Sequence, residues 1–95
     1  MNLRGGCACG VTSYEIKDNP LFTQVCHCKN CKISTGSSFV IHTMIFEDDF
    51  ILNGRVSSTE LPTGSGKGYR AYFCNNCGVY LYCKYAVATG RLAIR

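Results

Sequence analysis

Apolar and polar residues alternate along most of this chain with the two-residue rhythm of strands that have one covered face. Residues 11–16, VTSYEI, put Thr12, Tyr14 and Ile16 on one side, and residues 21–26, LFTQVC, run extended. The longest candidate is SFVIHTMIF at 38–46, so rich in β-branched and aromatic residues that both of its faces need at least partial cover. A short FILNG follows at 50–54, where Asn53-Gly54 signals a turn. GYRAYFC at 68–74 and VYLYCKYAV at 79–87 read as two more strands, and Gly64, Gly66 and Gly68 mark the loop before the first of them. Only KNCKIST, at 29–35, could hold a helical turn. There is no internal repeat and no low-complexity segment. The pattern predicts a small, mainly β domain with little helix, its cysteines lying at turns between strands.

Length and composition refine this picture. With 95 residues, 46% of them apolar, the chain makes one domain with a limited core, so a metal that organises its loops would contribute much of the stability. The opening MNLRGGCACG has no apolar run of signal-peptide length, and no stretch approaches the roughly 18 apolar residues of a membrane span. A soluble, cytoplasmic protein without a membrane partner is the expectation. Eight cysteines in a reducing compartment stay as thiols, and thiols invite metal. The net charge of +4 comes from scattered residues, Arg4, Lys29, Lys32, Arg70 and Arg95 among them, with no run or stripe. Seven thiolates on two Zn²⁺ would bring the total close to neutral, so no nucleic-acid partner is expected.

Seven of the eight cysteines fall into three groups: Cys7-Ala8-Cys9-Gly10, Cys26-His27-Cys28-Lys29-Asn30-Cys31, and Cys74-Asn75-Asn76-Cys77-Gly78. A C-x-x-C turn lets two thiolates reach one metal while backbone N–H groups point at the sulfurs, and a following glycine permits the tight left-handed turn. C-x-C-G can do the same from a strand end. Two pairs plus a triple in so short a chain is a strong zinc signature. The pairs Cys7/Cys9 and Cys74/Cys77 complete one four-cysteine structural site. The triple Cys26, Cys28 and Cys31 then supplies three thiolates and leaves the fourth position of a tetrahedral Zn²⁺ open, as a catalytic zinc requires.

Spacing does not force that grouping, and a closed second site stays in competition with it. His27, His42 or Cys83 could serve as the fourth ligand. His27 alternates with its ligand neighbours and should point away from them. His42, in the middle of an apolar strand, reads as a hydrogen-bonded core or edge residue, and Cys83 as a small buried residue that needs no function. Lys29 and Lys32 flank the triple as ordinary solvated lysines, Tyr69, Tyr72, Tyr80, Tyr82 and Tyr85 read as strand packing, and Glu47, Asp48 and Asp49 as a solvated turn. No Ser/His/Asp arrangement, phosphate loop or dinucleotide fingerprint is present, and no separate general base is visible.

GGCACG, CHCKNCKISTG and FCNNCG, in this order, resemble the glutathione-dependent formaldehyde-activating enzyme family, also called the Gfa or centromere-protein-V family. Gly36 and the Phe73-Cys74 pairing fit as well. The resemblance implies a β-tent of small coiled antiparallel sheets organised by zinc knuckles, with a structural zinc on Cys7, Cys9, Cys74 and Cys77 and a second, catalytic zinc on Cys26, Cys28 and Cys31. It implies a carbon–sulfur lyase whose partners are a small thiol such as glutathione and a small aldehyde such as formaldehyde. The arginine expected shortly before Phe73 is matched only approximately, by Arg70, which suggests a one-residue offset or a bulge. Against the family, this single domain over residues 1–95 reads as shortened at its C-terminal end, and a second copy of the chain is expected to complete that edge. The alternative is a non-catalytic two-zinc interaction module.

Overall fold

A computed structural model describes residues 3–17, 20–27, 29–61, 68–85 and 90–94, with Asn30, Cys31 and Ser34 described by their backbone alone. Among the described residues nine strands, one helix and one 3₁₀ turn follow each other. They are β1 (Leu3–Gly6), β2 (Ser13–Ile16), β3 (Phe22–Cys26), α1 (Lys29–Thr35), β4 (Val40–Phe46), the turn Glu47–Asp49, β5 (Phe50–Asn53), β6 (Val56–Leu61), β7 (Tyr69–Cys74), β8 (Tyr80–Tyr85) and β9 (Arg91–Ile94). Every pairing is antiparallel. A three-stranded sheet has the order β1-β2-β5, and a six-stranded sheet the order β3-β4-β9-β8-β7-β6. This is the small, mainly β tent of antiparallel sheets that the sequence predicts. The 3₁₀ turn carries the chain from the large sheet to the small one, and the Gly54-Arg55 turn carries it back.

The core has two parts because the large sheet is covered on both faces. Ile16 from the small sheet packs on Ile45, Tyr82, Leu92 and Ile94 of the large one, with Tyr14, Phe50 and Leu52 around them. On the opposite face Met44, Tyr69, Ala71, Cys83 and Ala93 form a second cluster. Period-two alternation therefore sends Ile45 to one cluster and Met44 to the other. β8 breaks the alternation: the register shifts between Tyr72 and Phe73, whose partners are Tyr82 and Tyr80, so Leu81 is an extra residue. That bulge lets Leu81 and Tyr82 both enter the first cluster.

Three strands lie outside the sequence reading. β1 contains Gly5 and Gly6, poor strand formers, yet a Cβ at Gly5 would strike the Tyr14 ring across the pair, so the glycine makes the pairing possible. β6 is a polar edge strand, VSSTEL, whose only instruction is its partner β7. β9 is four residues long and lies between β4 and β8, with Leu92 and Ala93 fully buried. The described C-terminal strand is thus interior, and the free edges of the large sheet are β3 and β6. Among the described residues β9 is hydrogen-bonded on both sides. The helix falls at Lys29–Thr35 as expected and is closed by Gly36, whose N–H donates to the Lys32 carbonyl at 2.8 Å. β4 is covered on both faces only around Met44 and Ile45, since Ile41 stays exposed. Gly64, Gly66 and the end of the 79–87 segment lie outside the described residues.

Candidate metal centre

The loop from β1 to β2 brings the first cysteine pair into place. Cys7 follows β1 directly, Gly10 turns the chain at φ +81°, and the Cys7 N–H donates back to the Thr12 carbonyl at 3.0 Å. On the other side β7 ends on Cys74, and Gly78, at φ +80°, closes the knuckle with its N–H on the Cys74 carbonyl at 3.0 Å. Both post-cysteine glycines adopt the left-handed conformation that a side chain would strain. The two loops meet over the Gly54-Arg55 turn. The Arg55 carbonyl accepts the Thr12 hydroxyl at 2.8 Å and the Asn75 N–H at 3.3 Å. Gly54 leaves room for this: a Cβ there would come within 2.8 Å of Thr12 Cα.

As a result Cys7, Cys9, Cys74 and Cys77 place their Sγ atoms within 4.8 Å of one another. Cys7 and Cys9 sulfurs are 3.5 Å apart, and Cys9 and Cys74 sulfurs 3.7 Å. Four thiolates about 2.3 Å from a tetrahedral zinc would be separated by about 3.8 Å. The donor set and its spacing therefore fit a metal ion of that kind.

The surrounding donors act on the charge of these sulfurs. The Cys77 N–H donates to Cys74 Sγ at 3.5 Å, the Asn76 N–H at 3.4 Å and the Thr12 hydroxyl at 3.6 Å. Together, the Cys77 N–H foremost, they outweigh burial and pull the Cys74 thiol down to about 6. The Thr12 N–H, 3.4 Å from Cys7 Sγ, likewise holds Cys7 below the ordinary thiol range. Cys9 goes the other way: Asn76 and the Val11 backbone pull it down, but burial and the neighbouring Cys7 and Cys77 sulfurs raise it more. Two thiolates favoured and a third disfavoured by its neighbours is what a sulfur cluster does before a cation arrives to neutralise it.

The triple is placed less fully. Cys26 ends β3, half-buried, and Cys31 sits in the first turn of α1, while Cys28 lies outside the described residues. His27 is exposed with its ring against Phe39, at 5.9 Å between centroids. His42 is buried on β4. Cys83 is buried in the second cluster with Met44, Tyr69, Ala71 and Ala93, away from the four-cysteine group. Lys29 and Lys32 are exposed. The tyrosines pack as anticipated, Tyr72 stacked on Tyr82 at 4.6 Å and Tyr69 tilted on Tyr85 at 5.4 Å. Glu47 lies in the exposed turn and pairs with Lys84 at 3.2 Å. Thr12 is the residue that sequence reasoning failed to attach to the centre. Its only signal is a hydroxyl on the covered face of a strand, three residues after Cys9.

Fold and centre together define a class: a mainly β domain whose two sheets are joined by a four-cysteine cluster that could hold a metal ion. The chain belongs to the glutathione-dependent formaldehyde-activating enzyme family, whose model matches residues 2–95. Its fold is similar to that of a Rhodobacter sphaeroides protein known from a crystal structure, with a TM-score of 0.70 and 20% identity over 97% of this chain and 83% of that one. No curated protein matches the chain.

Proposed function

We propose that this protein is a zinc-dependent carbon–sulfur lyase acting on thiol–carbonyl adducts of the S-hydroxymethylglutathione type. The structural zinc would be held by Cys7, Cys9, Cys74 and Cys77 and the catalytic one by Cys26, Cys28 and Cys31. The observation that carries this reading is the partition of sulfurs. Both flanking pairs are used in one cluster, so within a family of glutathione-dependent formaldehyde-activating enzymes the triple is left for chemistry.

The reaction needs little from the protein beyond placement. The adduct divides into thiol and aldehyde as its C–S bond breaks, the electron pair goes to sulfur, and the hydroxyl proton is transferred to the thiolate. A bound zinc supplies positive charge that stabilises the thiolate or polarises the carbonyl. The chain's part is to hold the reacting atoms in register: Cys26 stands at the end of a strand fixed by five residue pairs to β4, and α1 carries Cys31. A Cys28→Ser variant that retains the fold is expected to lose cleavage of the adduct, followed by aldehyde release. Wild-type turnover by that variant would sink the proposal.

A specific observation favours a second reading, the non-catalytic interaction module. Val25 and Ile41, paired across β3 and β4, and Ile33 of α1 are exposed to 54%, 53% and 70% on the part of the molecule that carries the triple. Cobalt substitution separates the two readings. A second site whose spectrum changes on adding glutathione supports the lyase; two unresponsive four-sulfur spectra support the module.

A further inference from the structure

The small sheet has two unlike faces. Its inner face carries Tyr14, Ile16 and Leu52 into the core between the sheets. On the outer face the register sets Arg4 opposite Glu15, and Ser13 between Gly6 and Asn53. Gly6 adds no side chain to that face, and a hollow of about 220 Å³ opens there, lined by Arg4, Gly5, Ser13, Tyr14, Glu15 and Asn53. The polar groups around it are uncommitted. Among the described residues none of Arg4, Ser13, Glu15 and Asn53 gives its side chain to a hydrogen bond, and Arg4 and Glu15 form no ion pair.

Opposite charges set directly across a ladder, with Cβ atoms about 5 Å apart, ordinarily close on each other. Here the guanidinium and the carboxylate stand open on one concavity, with a hydroxyl and a carboxamide alongside. A molecule that brings its own anion and cation satisfies both at once. Arg4 offers a carboxylate two parallel N–H donors, and Glu15 accepts from an ammonium. A simple anion would meet the charge of Glu15 and a simple cation that of Arg4, so a ligand with one charge is opposed where a zwitterion is held. The volume falls below the roughly 300–1,000 Å³ of sites for drug-sized ligands, which restricts the occupant to a small molecule. We infer that the outer face of the small sheet is a binding site for a small zwitterion of the α-amino-acid type. Its carboxylate lies on Arg4, its ammonium on Glu15 and its polar remainder against Ser13 and Asn53. None of these residues belongs to either cysteine group, so the inference goes beyond the lyase reading and does not depend on it.

Titration of the zinc-loaded, ¹⁵N-labelled protein with L-serine tests it, beside propionate, ethylamine and sodium chloride at the same concentrations. Serine is expected to shift the amides of Gly5, Tyr14, Glu15 and Asn53 along saturating curves, and propionate and ethylamine, which carry one charge each, to shift them far less. Arg4→Gln and Glu15→Gln should each weaken serine binding about 10- to 100-fold, the loss of one charge-assisted hydrogen-bonded contact. Shifts that do not saturate, or that sodium chloride reproduces, would be charge screening alone and overturn the inference. Propionate that binds as tightly as serine overturns it as well, because the hollow would then be an anion site. So does serine binding that neither variant weakens, since the amino acid would then sit elsewhere on the molecule. The wild-type titration with its single-charge controls decides the matter even if a variant fails to fold.

Discussion

At the scale of the residue, Thr12 carries more than its size suggests. Its hydroxyl joins the Arg55 carbonyl to Cys74, and its backbone N–H and carbonyl both serve Cys7. Thr12→Val keeps the shape and removes the hydroxyl, leaving the Arg55 carbonyl with the Asn75 N–H alone. The expected cost is about 1 kcal/mol in urea unfolding, and metal affinity should fall about 10- to 100-fold in competition with a chelator. The thiols add a dependence on pH. Cys74 titrates at about 6 in the folded chain against an ordinary 9.0, so its thiolate favours the fold fully above pH 9 and ceases to do so as pH falls through 6. In the metal-free, reduced protein the urea midpoint of the wild type is therefore expected to decline from pH 9 to 6 more steeply than that of Cys74→Ser. Parallel slopes would mean that the knuckle N–H groups are not organised without metal.

At the scale of the element, the test case is β9. Leu92 is buried between the sheets on a strand with a partner on each side. Leu92→Ala should cost about 2–5 kcal/mol in denaturant unfolding. By contrast the exposed Glu47–Lys84 pair should be worth under about 1 kcal/mol, so Lys84→Met should shift the midpoint little. These two substitutions mark where the sequence was readable. Strands with strong internal pattern, β2, β4, β7 and β8, and the helix with its closing glycine were legible because their instructions are local. β9 was not, because RLAI is too short to show a period and owes its form to β4 and β8. β1 was hidden by its glycines, and the purpose of Gly5 is visible only when Tyr14 lies across from it. The two cysteine pairs were legible as ligands from spacing alone, whereas Thr12 and Gly54, which bring the pairs together, act through a turn some forty residues away in the chain.

At the scale of the molecule, the four-cysteine cluster is a tie between the two sheets. Cys7 and Cys9 leave the small sheet and Cys74 ends a strand of the large one, so a metal there closes the tent along one side. The radius of gyration, 12.7 Å, is close to the roughly 12 Å of a compact domain of this length. With so small a core, a metal bound there would have a large share in stability. At free zinc a thousandfold above its dissociation constant the contribution is about 4 kcal/mol, so stripping the metal with a chelator under reducing conditions should lower Tm by about 15–30 °C. Calorimetry of the loaded and stripped protein checks this, and an unchanged Tm would make the cluster a set of unconnected thiols.

The interior place of β9 also has a consequence in time. At a synthesis rate of roughly 5–20 residues per second, Cys74 leaves the ribosome about 3–13 s after Cys9. β4 and β8 have no edge to share until residues 91–94 follow. During those seconds the early cysteines are bare, their counterparts unmade, and the large sheet is in two halves. A newly made chain therefore cannot assemble its four-sulfur cluster until Cys77 has been synthesised, or join the two halves of the large sheet until β9 has.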